Sequence, residues 1–167
     1  MKHPEVVMIG LGYIGLPTAA LIASNNVKVY GVDINPKVVE TINRGEIHIV
    51  EPDLDIVVKS AVKDGYLKAA IEPVAANTYI IVVPTPFKGK NEPDISFVEA
   101  ATKAVIPLLK EGDLYIIEST SPIGTTEKMM DLIYNSRPEL TNKIYIAYCP
   151  ERVLPGNVMH ELLYNDR

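Results

Sequence analysis

Apolar and polar positions along this chain fall into two periods that take turns. Val6–Ile9 is a short apolar run met at once by glycine, which predicts a strand running into a turn. Tyr13–Ser24 predicts a helix, with Pro17 in the first turns, where no backbone hydrogen bond is lost. Val27–Val32 predicts a second strand, ending in Asp33. Asn35-Pro36 then opens a helix to about Arg44, with Asn35 as its cap and Gly45 as its stop. A helix from Glu51-Pro52-Asp53 to about Lys63 and a strand at Leu67–Ile71 follow. Tyr79–Val83 is uncharged and rich in β-formers, as expected of a strand buried on both faces, and Pro84-Thr85-Pro86 ends it. Ser96–Leu109 carries apolar residues at helical spacing, Asp113–Ile117 predicts a strand, Gly124 to about Asn135 a helix, and Ile144–Tyr148 a last strand.

Strands that alternate with helices imply parallel pairing, because each crossover helix returns the chain to the same end of the sheet. The expected fold is therefore α/β, a Rossmann-type doubly wound and mostly parallel sheet with helices on both faces. The 167 residues suit one domain, and no repeat divides them. The segment after Arg152 has no closing pattern, so the chain reads as one cut between modules.

Composition changes little in this picture, but it removes alternatives. The net charge is −5 with acids and bases interspersed, which gives no footprint for nucleic acid. One cysteine, Cys149, excludes an internal disulfide or a thiolate cluster. With the three histidines scattered, no metal is expected. The run from Val6 to Val27 lacks any charge and is nearly long enough to cross a membrane. Three glycines and Pro17 interrupt it where a spanning helix has to be continuous. A cytoplasmic protein without a membrane partner is the expectation.

Gly10, Gly12 and Gly15 form G-x-G-x-x-G between a predicted strand and a predicted helix, and Asp33 closes the next strand about twenty residues on. In that context Gly10 permits the tight turn, Gly12 admits a pyrophosphate to the backbone, and Gly15 lets helix and strand pack closely. The helix N-terminus offers free N–H groups and a partial positive charge to a phosphate. Asp33 can accept from ribose hydroxyls and would repel a 2′-phosphate, which favours NAD over NADP; Lys37 is a weak counterweight. Ligands of open α/β sheets lie beyond the carboxyl ends of the strands. Pro84-Thr85-Pro86, Glu118-Ser119-Thr120 and Cys149-Pro150-Glu151 are the polar groups expected there.

GLGYIGLP, VPTPF at 83–87, ESTSPIGTTEK at 118–128 and CPERVLPG at 149–156 follow one another in the order seen in the nucleotide-sugar 6-dehydrogenases. The chain resembles this UDP-glucose/GDP-mannose dehydrogenase family over essentially its whole length. ERVLPG and TINRGEIHIVEPDL at 41–54 most resemble the members that act on UDP-N-acetyl-D-mannosamine. The resemblance implies oxidation of a sugar C6 alcohol to a carboxylate with two NAD⁺, for surface polysaccharide synthesis, in a homodimer or larger assembly. It implies backbone contacts from Tyr13 and Ile14 to the pyrophosphate, Asp33 on the ribose, and Thr85 and Thr126 beside the cofactor. Capping of a helix is an equal role for Thr126. Thr120 would position the water or the reacting hydroxyl, Glu151 would act in acid–base steps, and Arg152 and Val153 would touch the UDP-sugar.

The family's nucleophilic cysteine, lysine and asparagine lie downstream of this sequence, with its central and C-terminal substrate domains, and Cys149 is not expected to replace that nucleophile. The chain alone is therefore expected to bind NAD without turnover. Another UDP-sugar 6-dehydrogenase, acting on UDP-glucose or UDP-N-acetylglucosamine, and a standalone NAD-binding or sensing module are the alternatives. Other Rossmann oxidoreductases, such as 6-phosphogluconate or 3-hydroxyacid dehydrogenases, share the first motif but lack CPERVLPG.

Overall fold

Twelve residues in three short segments already fix the centre of the molecule. In a computed structural model that describes residues 4–89 and 91–164, β1 (Val6–Ile9) pairs in parallel with β2 (Val29–Val32) on one side and β4 (Thr78–Ile81) on the other. β3 (Leu67–Ala70) adds to β2, β7 (Leu114–Ile117) to β4, and β8 (Tyr145–Tyr148) to β7. The order β3-β2-β1-β4-β7-β8 is that of a doubly wound sheet, and it reverses direction between β1 and β4.

Two-residue alternation distributes the central strands between two cores. Val7, Ile9, Tyr79, Ile81, Tyr115 and Ile117 face α4 (Ser96–Val105) and α5 (Thr125–Ser136), where they meet Val98, Val105, Met129 and Ile133. Val6, Met8, Val29, Leu67 and Ile80 face the other way, onto α1 (Gly15–Ser24), α2 (Pro36–Asn43) and α3 (Leu54–Lys63). The uncharged run at 6–27 has its explanation here. β1 is covered on both faces, and α1 lies between the sheet, α3 and a last helix, α6 (Val158–Tyr164), so that seven of its ten residues are buried. Among the described residues no helix is long and apolar enough to cross a membrane.

Several boundaries differ from the sequence reading for identifiable reasons. β4 ends at Ile81 rather than Val83, since the Val83 N–H leaves the ladder to donate to the Ser119 hydroxyl at 2.8 Å. α4 ends at Val105, because Pro107 has no N–H to continue it, and the chain tightens into a 3₁₀ turn over Ile106–Leu108. α3 starts at Leu54 because Asp53 takes a left-handed conformation, φ 62°. Two elements carry no sequence signal strong enough to predict them. They are the short hairpin of β5 (Phe87–Lys88) and β6 (Glu92–Pro93), and α6 in the tail. The edge strand β3 is secured by Asn43, whose carboxamide donates to the Ala69 carbonyl and accepts its N–H, both at 2.9 Å. The fold is the Rossmann fold.

Candidate active site

The turn after β1 is dictated by three glycines used in three different ways. Gly10 sits at φ 99°, where a side chain is strained, and a Cβ there would overlap the Val82 carbonyl just past the end of neighbouring β4. A Cβ on Gly15 would overlap the carbonyl oxygen of Gly10, so α1 can start this close to β1 only with glycine in that place. Gly12 has open space where its Cβ would be, and it lines a cleft. No side chain caps the first turn of α1 and no acidic residue lies in it. The Leu16 N–H donates to the Gly12 carbonyl at 3.1 Å and Pro17 has none, so the N–H groups offered to an anion from the cleft side are those of Gly15 and of Tyr13 and Ile14 just before it.

The cleft, about 350 Å³, opens at the reversal of strand order. Gly10, Gly12, Tyr13, Ile14 and Gly15 form one wall, and Val82–Thr85 another. Glu118, Ser119, Thr120 and Glu151 close the far side, and Asp33 stands at the near end. Asp33 is fixed before any ligand arrives. Its Oδ2 accepts the Leu11 N–H at 3.1 Å and its Oδ1 accepts the Asn35 N–H at 2.9 Å. Two carboxylate oxygens have room for about four donors, so ribose hydroxyls can still be received.

The strand-end loops are tied to one another through side chains. Ser119, 6% exposed, accepts from the Val83 N–H and lies 2.8 Å from the Val83 carbonyl, to which it can donate. Thr85 donates its hydroxyl to the Thr120 carbonyl at 2.7 Å. The Tyr148 hydroxyl accepts from the Ser121 N–H at 3.1 Å. The Glu151 N–H donates to the Glu118 carbonyl at 3.3 Å, and its Oε1 accepts the Arg152 N–H at 2.7 Å. Loops from three strands thus act as one rim.

Not every residue expected at the site reaches the cleft. Thr126 lies in the first turn of α5, outside the cleft lining, and it is Thr125 that donates to the Pro122 carbonyl, at 2.8 Å. Arg152 is exposed just past the rim. Val153 turns its side chain inward, 8% exposed, against Val158 and Leu162, with Ile14 and Leu21 of the α1 side packed on them. Sequence reasoning places Ser119 at the site only as part of Glu118-Ser119-Thr120, with no role of its own, and it passes over His48 as a scattered histidine. His48 lies near Leu11 and Asp33, and partial burial holds its imidazole below the usual value of 6.5 against the opposing pull of the Asp33 charge and a hydrogen bond to the Leu11 backbone. Only the three-dimensional path of the loop after α2 brings it there.

A second, apolar hollow of about 380 Å³ adjoins the cleft through Gly10, Asp33, Val83 and Pro84. Ile34, Ile71, Phe97, Ala100 and Ala104 line it, a flat apolar setting of a kind that receives an aromatic ring. The glycine turn, the Asp33 carboxylate and the apolar hollow lie in sequence, and these residues fit a dinucleotide. Among the described residues no group of three His, Cys, Asp or Glu side chains could hold a metal.

Comparison with known proteins agrees with this geometry. The chain is 59% identical, over its whole length, to UDP-N-acetyl-D-mannosamine dehydrogenase of Yersinia pestis. It is 52% identical over 97% of its length to NDP-N-acetyl-D-galactosaminuronic acid dehydrogenase of Ralstonia nicotianae. It spans 42% and 40% of those two proteins. Its fold superimposes with a TM-score of 0.92 on UDP-N-acetyl-mannosamine dehydrogenase of Staphylococcus aureus, at 39% identity, over 98% of this chain and 40% of that one. Residues 4–167 match the NAD binding domain of the UDP-glucose/GDP-mannose dehydrogenase family, and with the glycine turn, Asp33 and the joined rim in place the chain belongs to that family.

Proposed function

We propose that this chain is the NAD-binding part of a UDP-N-acetyl-D-mannosamine 6-dehydrogenase, which oxidises the C6 alcohol of the sugar to the carboxylate. The observation that carries the reading is the rim. Thr85, Thr120 and Glu151, from three separate strand ends, converge on the same cleft as the glycine turn and Asp33. A hydride acceptor held there would have beside it polar groups able to orient an alcohol and exchange its proton.

Bound NAD⁺ supplies the hydride acceptor. The chain's own residues do the rest. The backbone N–H groups of Tyr13 and Ile14, just before α1, would hold the pyrophosphate, and Gly12 would leave it room. Asp33 accepts from the ribose and turns away a 2′-phosphate. Thr85 has its proton committed to the Thr120 carbonyl, so its oxygen acts toward the cofactor as an acceptor. Thr126, in the first turn of α5 and outside the cleft lining, would act on the cofactor only from a distance. The exposed Thr120 hydroxyl positions the reacting hydroxyl or water, and the Glu151 carboxylate receives and returns the proton. Arg152 meets the anionic UDP-sugar from just beyond the rim, and Val153 contributes through its backbone, its side chain being used in packing.

The 59% identity to the Yersinia pestis enzyme supports the mannosamine substrate over other UDP-sugars. We place the product in surface polysaccharide synthesis in the cytoplasm, and the working enzyme in a homodimer or larger assembly. Calorimetric titration of the chain with NAD⁺ and NADP⁺ tests the cofactor half of the reading. Selective NAD⁺ binding is expected, and equal affinity for both would overturn it. Binding of UDP-N-acetylmannosamine in preference to UDP-glucose, measured with NAD⁺ present, tests the substrate half.

A further inference from the structure

Glu51 lies outside the cleft lining, yet it is one of the few buried charged residues, 5% exposed. Its carboxylate is turned toward backbone 105 and 107 residues further along the chain. Oε2 accepts the Gly156 N–H at 2.8 Å, and Oε1 accepts the Val158 N–H at 2.6 Å. A carboxylate is costly to bury unless strong donors compensate it, and here both oxygens have one. Local residues do not replace it. Asn157, next to the start of α6, turns its side-chain NH₂ toward Glu161 at 3.3 Å.

The segment so held is the one that carries Glu151. From the end of β8 at Tyr148 to the start of α6 at Val158 the chain has no regular structure, and the far end of this stretch is what Glu51 grips. Leu154 N–H donates to Glu161 at 2.9 Å, while Val153, Val158 and Leu162 rest on Ile14 of the glycine turn and on Leu21. We infer that Glu51 is a positioning residue of the site. By anchoring Gly156 and Val158 it fixes the path of residues 152–158 and so holds Glu151 at the cleft, with Arg152 just past its rim. The part of Glu151 in the chemistry rests on the proposed function; the anchoring does not.

Amide hydrogen exchange by NMR on the whole 167-residue chain tests this, with Glu51→Ala and Glu51→Gln beside the parent. Glu51→Ala is expected to speed exchange at Arg152, Leu154, Gly156 and Val158 at least tenfold, with α4 and β7 amides within twofold of the parent. The Arg152 amide is the informative one, because its acceptor is the Glu151 carboxylate and not Glu51. The ¹³C carboxyl resonance of Glu151 should move with it. Glu51→Gln keeps the side-chain volume and one acceptor, so it should show the same pattern at smaller amplitude without unfolding the chain. The NAD⁺ dissociation constant should stay within threefold for both variants. Unchanged Arg152 exchange and an unmoved Glu151 resonance in Glu51→Gln would overturn the inference, as would acceleration spread evenly over the sheet. If the parent chain fails to bind NAD⁺, the proposed function falls, while the exchange comparison still decides the role of Glu51.

Discussion

Replacing Asp33 separates what this carboxylate does for the fold from what it does for the cofactor. In Asp33→Ala the exposed Asn35 N–H can turn to water, so its loss costs little. The Leu11 N–H is different, since it donates to Asp33 in a partly buried setting within the glycine turn itself. Leaving such a donor without its charged acceptor costs about 1–3 kcal/mol, and the unfolding free energy should fall by that amount. The ribose contacts are a separate loss. Charge-assisted hydrogen bonds contribute about 1.5–3 kcal/mol, which weakens NAD⁺ roughly 10- to 150-fold. Discrimination moves as well. Two unit charges about 4 Å apart repel by about 1 kcal/mol in water and about 4 kcal/mol at an effective dielectric constant of 20. Removing the aspartate should therefore narrow the preference for NAD⁺ over NADP⁺ by tenfold or more. Calorimetry with both dinucleotides reads the affinities, and urea unfolding reads the stability. A variant destabilised as expected but with NAD⁺ affinity and NADP⁺ exclusion intact would refute the ribose assignment and leave Asp33 as a brace for the turn.

The glycines allow a contrast between neighbours. Gly12→Ala projects a methyl into open cleft, so it should leave stability within about 0.5 kcal/mol and still reduce NAD⁺ affinity markedly in the same titration. Gly15→Ala drives a methyl onto the Gly10 carbonyl and should cost about 3 kcal/mol or more, the upper range for overpacking, visible in urea unfolding whether or not cofactor is present. Ser119→Ala strips the partly buried Val83 N–H of its acceptor and should lower stability by about 1–3 kcal/mol, and equal unfolding midpoints would show that the two loops are not joined through this hydroxyl. Asp113 provides a pH test. Burial, opposed by the Lys110 N–H, raises its carboxyl above the ordinary 3.8. The folded state thus binds this proton more tightly than the unfolded chain, and the stabilisation is complete at low pH and lost as pH rises through the raised value. Relative to Asp113→Asn, the parent should gain melting temperature as pH falls from 7 into the carboxylate range, and a pH-independent difference would contradict this.

Most of the architecture was legible in the sequence because strands and crossover helices leave local marks. β1, β2 and β4 are uncharged on both faces, α4 and α5 keep an apolar stripe at helical spacing, and Asn35, Pro36 and Gly45 punctuate α2 through their own backbone preferences. The glycine spacing and Asp33 were legible for the same reason, since each states what its own backbone or carboxylate can do. The cleft itself was only partly so. That 84–86, 118–121 and 148–151 lie together follows from parallel strand order, but their joining through Ser119, Thr85 and Tyr148 depends on distances between loops about 30 residues apart.

The sequence by itself determined the alternation of elements, the glycine turn and the acid beside it, because those rest on conformational preferences and periodicities within a few residues. Tertiary structure alone decided three things. It turned Val153 inward while Arg152 stayed out, it brought His48 to the rim of the Asp33 site, and it set Glu51 under the start of α6. Each depends on a contact between segments that local propensity does not connect. Hydrogen bonding and close packing choose such partners only once the sheet has fixed where every loop emerges.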